Sequence, residues 1–200
     1  MNMIGISQNI KISSNHELED TIDQKIINFL KFCDLLPIPI SNKLVDENSN
    51  HYLLSFLEKI PLSGILLTGG NDLGSFSDRD KTELNLIDYS IQKSIPILGI
   101  CRGMQLIAYW AGVGIKRVAG HVNIKHMLSG QKNCEVNSYH NFSIKSCPKD
   151  FRVIAKSLDG EIEAIRHKKF NLEGWMWHPE RETEFKDQDI KSMKRIFKSL

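Results

Sequence analysis

The sequence predicts a single α/β domain over residues 1–200, with a mostly parallel, mixed central sheet and helices on both of its faces. Three observations carry this expectation. In the first half, short apolar runs alternate with stretches of helical spacing, the pattern of a parallel sheet crossed by helices. From residue 134 the pattern changes to short extended runs at 134–138, 151–157, 161–166 and 173–178, which predict strands added antiparallel at one edge. Between the two halves, Pro96-Ile97-Leu98-Gly99-Ile100 runs through a glycine-flanked turn into Met104-Gln105-Leu106-Ile107-Ala108-Tyr109-Trp110, a strand–turn–helix.

The elements follow in order. Residues 2–8 read as the first strand, and Ser14-Asn15 as the cap of a helix with Leu18, Ile22, Ile26, Ile27 and Leu30 at helical spacing. Residues 35–40 form a proline-interrupted extended segment, and 51–60 a second helix. The strand 64–68 passes through a loop at 69–77 into a helix near 79–93, whose apolar positions include Leu84, Ile87 and Ile91. Strand 96–100, the turn and a helix at 102–111 come next. Residues 112–132, with their glycines, read as an irregular lid or pocket wall. Asp159-Gly160 marks a hairpin turn, and a helix over roughly 187–199 closes the chain.

Composition narrows the function. An apolar fraction of 41% and a charged fraction of 25% are those of an ordinary globular domain. A net charge of +2 argues against nucleic acid as a partner. The scattered lysines, including Lys168-Lys169 and the group at 191–198, read as solvated surface; a basic rim for a phosphorylated substrate is the lesser reading. The four cysteines, Cys33, Cys101, Cys134 and Cys147, show no Cys-x-x-Cys and no His–Cys cluster, so no zinc is expected. The first residues lack a basic region followed by a long apolar core, and no apolar run approaches membrane-spanning length. A reducing cytoplasm and no membrane partner are expected, which keeps a reactive thiol usable.

The chemistry concentrates at Gly99-Ile100-Cys101-Arg102-Gly103. A strand, a sharp turn with a reactive side chain at its apex, and a helix make the geometry of the Gly-x-Ser-x-Gly nucleophile turn, with sulfur replacing oxygen. The helix start places N–H groups beside the sulfur and favours the thiolate. A buried structural cysteine is the alternative. A nucleophile needs a base, and the base an orienting group. Among seven histidines, His178 in Gly174-Trp175-Met176-Trp177-His178-Pro179-Glu180 stands at a strand end, with Glu180 two residues on to hold one imidazole nitrogen. The run Gly64-Ile65-Leu66-Leu67-Thr68-Gly69-Gly70-Asn71-Asp72 ends a strand in two glycines that can turn an N–H toward a developing oxyanion. It lacks the Gly-Lys-Ser/Thr of a phosphate loop.

Together, Leu67-Thr68-Gly69-Gly70-Asn71-Asp72, Gly99-Ile100-Cys101-Arg102-Gly103-Met104-Gln105, Val136-Asn137-Ser138-Tyr139-His140 and His178-Pro179-Glu180 resemble the class I glutamine amidotransferase superfamily, with its flavodoxin-like fold. Within it the chain is most similar to the stand-alone γ-glutamyl hydrolases. Its short length and divergent loops look like the γ-glutamyl-CDP-amidate hydrolases of capsule phosphoramidate synthesis. The resemblance implies a cysteine-dependent hydrolase that cuts a γ-glutamyl amide through a glutamyl thioester, with Cys101, His178 and Glu180 as catalytic triad. It also implies an oxyanion hole from the backbone N–H groups of Gly70 and Arg102, and no metal or organic cofactor. Gln105, Asp72 and the backbone of Tyr139, His140 and Asn141 would hold the glutamyl end of a small-molecule substrate. The chain departs from many relatives at Asn141-Phe142, where they carry histidine and glutamine. His121 and His126 either line the leaving-group side or face solvent. A glutaminase feeding ammonia to a separate synthase has the same motifs, and a homo-oligomer or a synthase partner stays open.

Overall fold

The computed structural model describes residues 1–197. The first half comprises strand β1 (Asn2–Ser7), a hairpin of β2 (Asn9–Ile12) and β3 (Leu18–Thr21), helix α1 (Gln24–Phe32), strand β4 (Leu35–Ile40), helix α2 (His51–Lys59), strand β5 (Gly64–Leu67), helix α3 (Ser77–Lys93), strand β6 (Ile97–Ile100) and helix α4 (Arg102–Trp110). Then come β7 (Ile115–Arg117), β8 (Val122–Gly130), β9 (Glu135–Tyr139), β10 (Phe142–Ile144), β11 (Phe151–Ser157), β12 (Ile162–His167), β13 (Leu172–Trp175) and helix α5 (Asp187–Phe197).

Nine strands form one sheet in the order β4-β1-β5-β6-β13-β12-β11-β8-β9. From β4 to β13 the neighbours are parallel; from β13 to β9 they are antiparallel. Alternation along each parallel strand divides the core between the two faces. Leu66, Leu98 and Ile100 meet Ile26, Phe29 and Leu30 of α1 and Met193, Ile196 and Phe197 of α5. Ile65, Leu67 and Ile97 point the other way, to Leu53 and Leu57 of α2, Leu86 and Ile87 of α3 and Met104 and Ile107 of α4. Each of these buried apolar side chains contributes about 1.5–3 kcal/mol relative to exposure. Pro37 and Pro39 sit on β4, an edge strand, where a missing N–H costs no ladder bond.

The mixed α/β architecture is the expected one, and its elements differ from expectation in four places. The first helix begins at Gln24, capped by Asp23 accepting from Lys25 N at 2.9 Å. Residues 13–16 turn a hairpin instead: Ser13 Oγ accepts from Asn15 and Glu17, and β3 pairs with β2. The region expected to be an irregular lid holds β7 and the nine-residue strand β8, paired with both β9 and β11. The short strand β10, unanticipated, pairs with β7 outside the main sheet. The strand expected at 173–178 ends at Trp175, leaving His178 on the turn that follows. The last two residues of the expected 187–199 helix lie outside the described residues. Among those described, no helix is long and apolar enough to cross a membrane.

Candidate active site

Cys101 stands between β6 and α4 with φ 52° and ψ −105°, a conformation L-residues adopt only under constraint. The constraint is visible. Its N–H donates to the Trp175 carbonyl of β13 at 2.6 Å, and both flanking glycines are in close contact with backbone. A Cβ on Gly99 would lie 2.4 Å from the Gly103 carbonyl carbon, and one on Gly103 2.4 Å from the Leu67 carbonyl oxygen. The side chain is thereby set at the carboxyl end of a central strand, 8% exposed. Arg102 opens α4, so its N–H has no intrahelical acceptor.

His178 is buried and converges on the same point. A Cβ built on Gly69 would lie 3.4 Å from His178 Nε2 and 3.6 Å from Cys101 Cβ, so the absent side chain leaves the space in which the two groups meet. On its other side, His178 Nδ1 lies 2.6 Å from Glu180 Oε1. Burial works against the imidazolium, but the Glu180 carboxylate and then the neighbouring Cys101 outweigh it and push the ring up to about 9. The backbone of His178 is clamped by Asn137 of β9: its N–H donates to Asn137 Oδ1 at 2.9 Å, and Asn137 Nδ2 donates to its carbonyl at 2.8 Å. Tyr139 packs edge-on at 5.8 Å. Asn137 lies inside a motif noted in the sequence, but nothing there marks it as the anchor of a residue 41 positions away.

The third part is the loop after β5. Gly70 has φ +115°, and a Cβ there would fall 1.8 Å from Asn9 Oδ1. A buried arginine shapes this loop from beneath. Arg79 Nη2 donates to the carbonyls of Thr68 and Gly69, each at 2.9 Å, and Nη1 to Asn71 Oδ1 at 3.1 Å. Its charge is met by Glu83 at 3.0 Å, which is also paired with Arg102. Arg102 in turn pairs with Asp80. Burial raises the Glu83 carboxyl, but the two guanidinium groups prevail and hold it below the usual carboxylate range. One ionic network therefore ties the Gly69-Gly70 loop to the first residue of α4. The spacing of Arg79 and Glu83 on one helix face was the only sequence signal for it.

The other expected contacts divide. Gln105 is buried and donates to the Phe142 carbonyl at 2.9 Å, which also accepts from His140 Nδ1 at 3.1 Å. This fastens the Tyr139–Asn141 segment to the helix of the nucleophile. Asn141 is exposed, its carbonyl accepting from Val118 at 3.0 Å. Asp72 is on an exposed turn, its carbonyl accepting from Ser75 N at 3.2 Å, and the structure brings its side chain to none of the groups above. His121 is buried rather than solvent-facing, and His126 is mostly so; both turn toward Glu163.

The class I glutamine amidotransferase family matches residues 33–196. The chain belongs to this family. Among relatives, the γ-glutamyl-CDP-amidate hydrolase of Campylobacter jejuni is 31% identical over 189 residues, covering 90% of both chains. A subunit of the glutamine-hydrolysing GMP synthase of Methanocaldococcus jannaschii is 30% identical over 174 residues, covering 80% of this chain and 86% of its own. In fold, a glutamine amidotransferase of Thermotoga maritima superposes with a TM-score of 0.66 at 18% identity, over 97% of this chain and 83% of that one. The mixed sheet flanked by helices is thus that of the amidotransferase family, and the site described above lies within its matched span.

Proposed function

We propose that this amidotransferase-family chain is a free-standing hydrolase of γ-glutamyl amides. The carrying observation is the convergence of Cys101, held at positive φ on a glycine-flanked turn, with a His178–Glu180 pair whose imidazole is biased toward its protonated form. In this reading the Cys101 thiolate attacks the γ-carbonyl carbon. The N–H groups of Gly70 and Arg102 receive the oxyanion, a contribution of about 2.7–4 kcal/mol per donor. His178 then gives its proton to the leaving nitrogen, Glu180 holding its tautomer, and the glutamyl thioester forms as the C–N bond breaks. Water, deprotonated by the now neutral His178, releases L-glutamate and restores the thiolate. Gln105 and the backbone at Tyr139, His140 and Asn141 hold the α-amino-acid end. The reacting atoms need no metal or organic cofactor.

The likeness to the Campylobacter enzyme supports γ-glutamyl-CDP-amidate as substrate. In this reading cytidine diphosphoramidate is the leaving group, and the reaction belongs to capsule synthesis in the cytoplasm. Arg181, stacked over Tyr139 at 4.7 Å beside His178, is a cation suited to a diphosphate. The test is glutamate release by the purified chain alone from γ-glutamyl-CDP-amidate, simple γ-glutamyl amines and glutamine. Release from the nucleotide substrate at the highest kcat/KM is expected; silence across the panel by folded protein refutes the reading. The likeness to the Methanocaldococcus GMP synthase chain favours a second reading, a glutaminase that works with a synthase partner. Glutamine hydrolysis that begins only when a synthase is added would establish it.

A further inference from the structure

Away from the thiol, three histidines close around one buried carboxylate. Glu163 of β12 is fully buried; His121 precedes β8, His126 lies on β8, and His140 links β9 to β10. Glu163 Oε1 stands 3.4 Å from both His121 Nδ1 and His140 Nε2, and Oε2 stands 3.6 Å from His126 Nε2. All five of these atoms are buried, and none has a hydrogen-bond partner. Leaving such groups unsatisfied costs about 1–3 kcal/mol each, more when charged, so the arrangement calls for something between them.

The outer nitrogens decide what that is. His121 Nε2 lies 2.8 Å from Asp159 Oδ2, and His140 Nδ1 lies 3.1 Å from the Phe142 carbonyl. The Asp159 carboxylate, whose other oxygen accepts from Ser157 Oγ, only accepts, as a carbonyl does. Both outer nitrogens must donate. In the neutral rings the inner nitrogens then carry lone pairs, pointed at a carboxylate that also only accepts. Imidazolium pairs would draw in to about 2.7–2.9 Å, whereas these contacts stand at 3.4 Å. That spacing is roughly the edge of a tetrahedron built from bonds of about 2.1 Å, the length of zinc–nitrogen and zinc–oxygen bonds. A histidine that ligates by one nitrogen and donates by the other to a carboxylate or carbonyl is the usual support of such a ligand. The ligating atoms of His121, His126 and Glu163 all lie within 4.8 Å of one another.

We infer that His121, His126 and Glu163 form a buried binding site for a divalent transition cation of the zinc class, with His140 against the same carboxylate. Its donors are nitrogen and carboxylate oxygen, the set that suits zinc, and they lie buried away from the thiol. The cradle is rigid: the His121 carbonyl accepts from His140 N at 3.1 Å and Ser138 Oγ at 2.6 Å, and the Glu163 carbonyl accepts from Met176 N at 2.8 Å. The ion would fix the segment from His140 to Phe142 that Gln105 also grips. The inference is independent of the proposed substrate. It reverses the expectation of no zinc, which rested on cysteine spacing; here the ligands come from separate strands and loops, and none is cysteine.

The test is elemental analysis of tag-free protein purified without chelators, with thermal unfolding of metal-stripped protein titrated with Zn²⁺ or Co²⁺. About one metal per chain is expected, with a rise in Tm on readdition and tetrahedral cobalt absorption in the visible. Glu163→Gln and the milder His126→Gln should lose the metal, while Cys101→Ala keeps it. Asp159→Asn, at an exposed position, should weaken the affinity about 10–100-fold. Metal-free wild-type protein whose Tm does not respond to either ion would overturn the inference. So would equal binding by Glu163→Gln and His126→Gln.

Discussion

Replacing Glu180 with glutamine keeps the shape of the His178 partner and removes its charge. Holding the imidazole near 9 rather than 6.5 takes roughly 3 kcal/mol of net interaction with the protonated ring. The ring is buried, so screening does little to reduce this, and the Glu180 carboxylate is the largest favourable contributor. Without it, only Cys101 opposes burial, and the ring falls from about 9. The wild-type ring is protonated up to about 9, so glutamate release should hold through neutral pH and decline as pH rises through about 9. In Glu180→Gln that alkaline limb should move to lower pH, and kcat at pH ~7.5 should fall on the order of 100-fold or more. Stability follows the same sign. A raised folded-state value stabilises fully below the unfolded value of 6.5, and the benefit is lost as pH climbs through about 9. The stability gap between wild type and variant should therefore close at high pH. A pH–rate profile with continuous glutamate detection, plus urea melts at several pH values, reads both effects. A variant whose limb stays near 9 and whose kcat remains within about threefold would refute the reasoning.

Gly69→Ala would place a methyl 2.6 Å from His178 Cε1 and drive the ring off the thiol. Glutamate release should fall about 100-fold while Tm changes little, measured by initial rates and calorimetry. Asn137→Ala removes both main-chain bonds that clamp His178, and should cost roughly 2–4 kcal/mol in denaturant unfolding, with kcat reduced as well. Arg79→Met leaves the fully buried Glu83 with one cation fewer and should cost about 3–5 kcal/mol in the same unfolding measurement. Pairing it with Glu83→Gln should restore part of that loss, since the carboxylate it strands is then gone.

Legibility tracked distance along the chain. The β6–α4 turn was readable because the constraint is local: an apolar strand, glycines where backbones touch, and the start of a helix lie within one short window. His178 and Glu180 were readable for the same reason, two residues apart. Strand β8 was not, because Gly120 before it and Gly130 at its end read as loop residues, His126 and Met127 blur its Val122, Ile124 and Leu128 alternation, and only Leu128 along it is buried. The false cap at Ser14-Asn15 shows two local meanings of one residue pattern: Ser13 accepts from Asn15 and Glu17 as a turn residue, and the hairpin partner of β3 decides between them. The ion network around Arg79 and the histidines around Glu163 each join separate elements, so no window of sequence contains them. Asp72, expected at the ammonium, lies on an exposed turn, where a loop of glycines and polar residues leaves the sequence no packing signal to place it.

The thioester on Cys101 is the species on which the account turns. Rapid quenching of the purified chain with γ-glutamyl-CDP-amidate or a γ-glutamyl amine, followed by peptide mass spectrometry, should reveal a glutamyl adduct on the peptide containing Cys101 that forms and decays at the rate of turnover. Cys101→Ala should show neither adduct nor turnover. Glutamate release that persists in Cys101→Ala, or an adduct on a different residue, would contradict it.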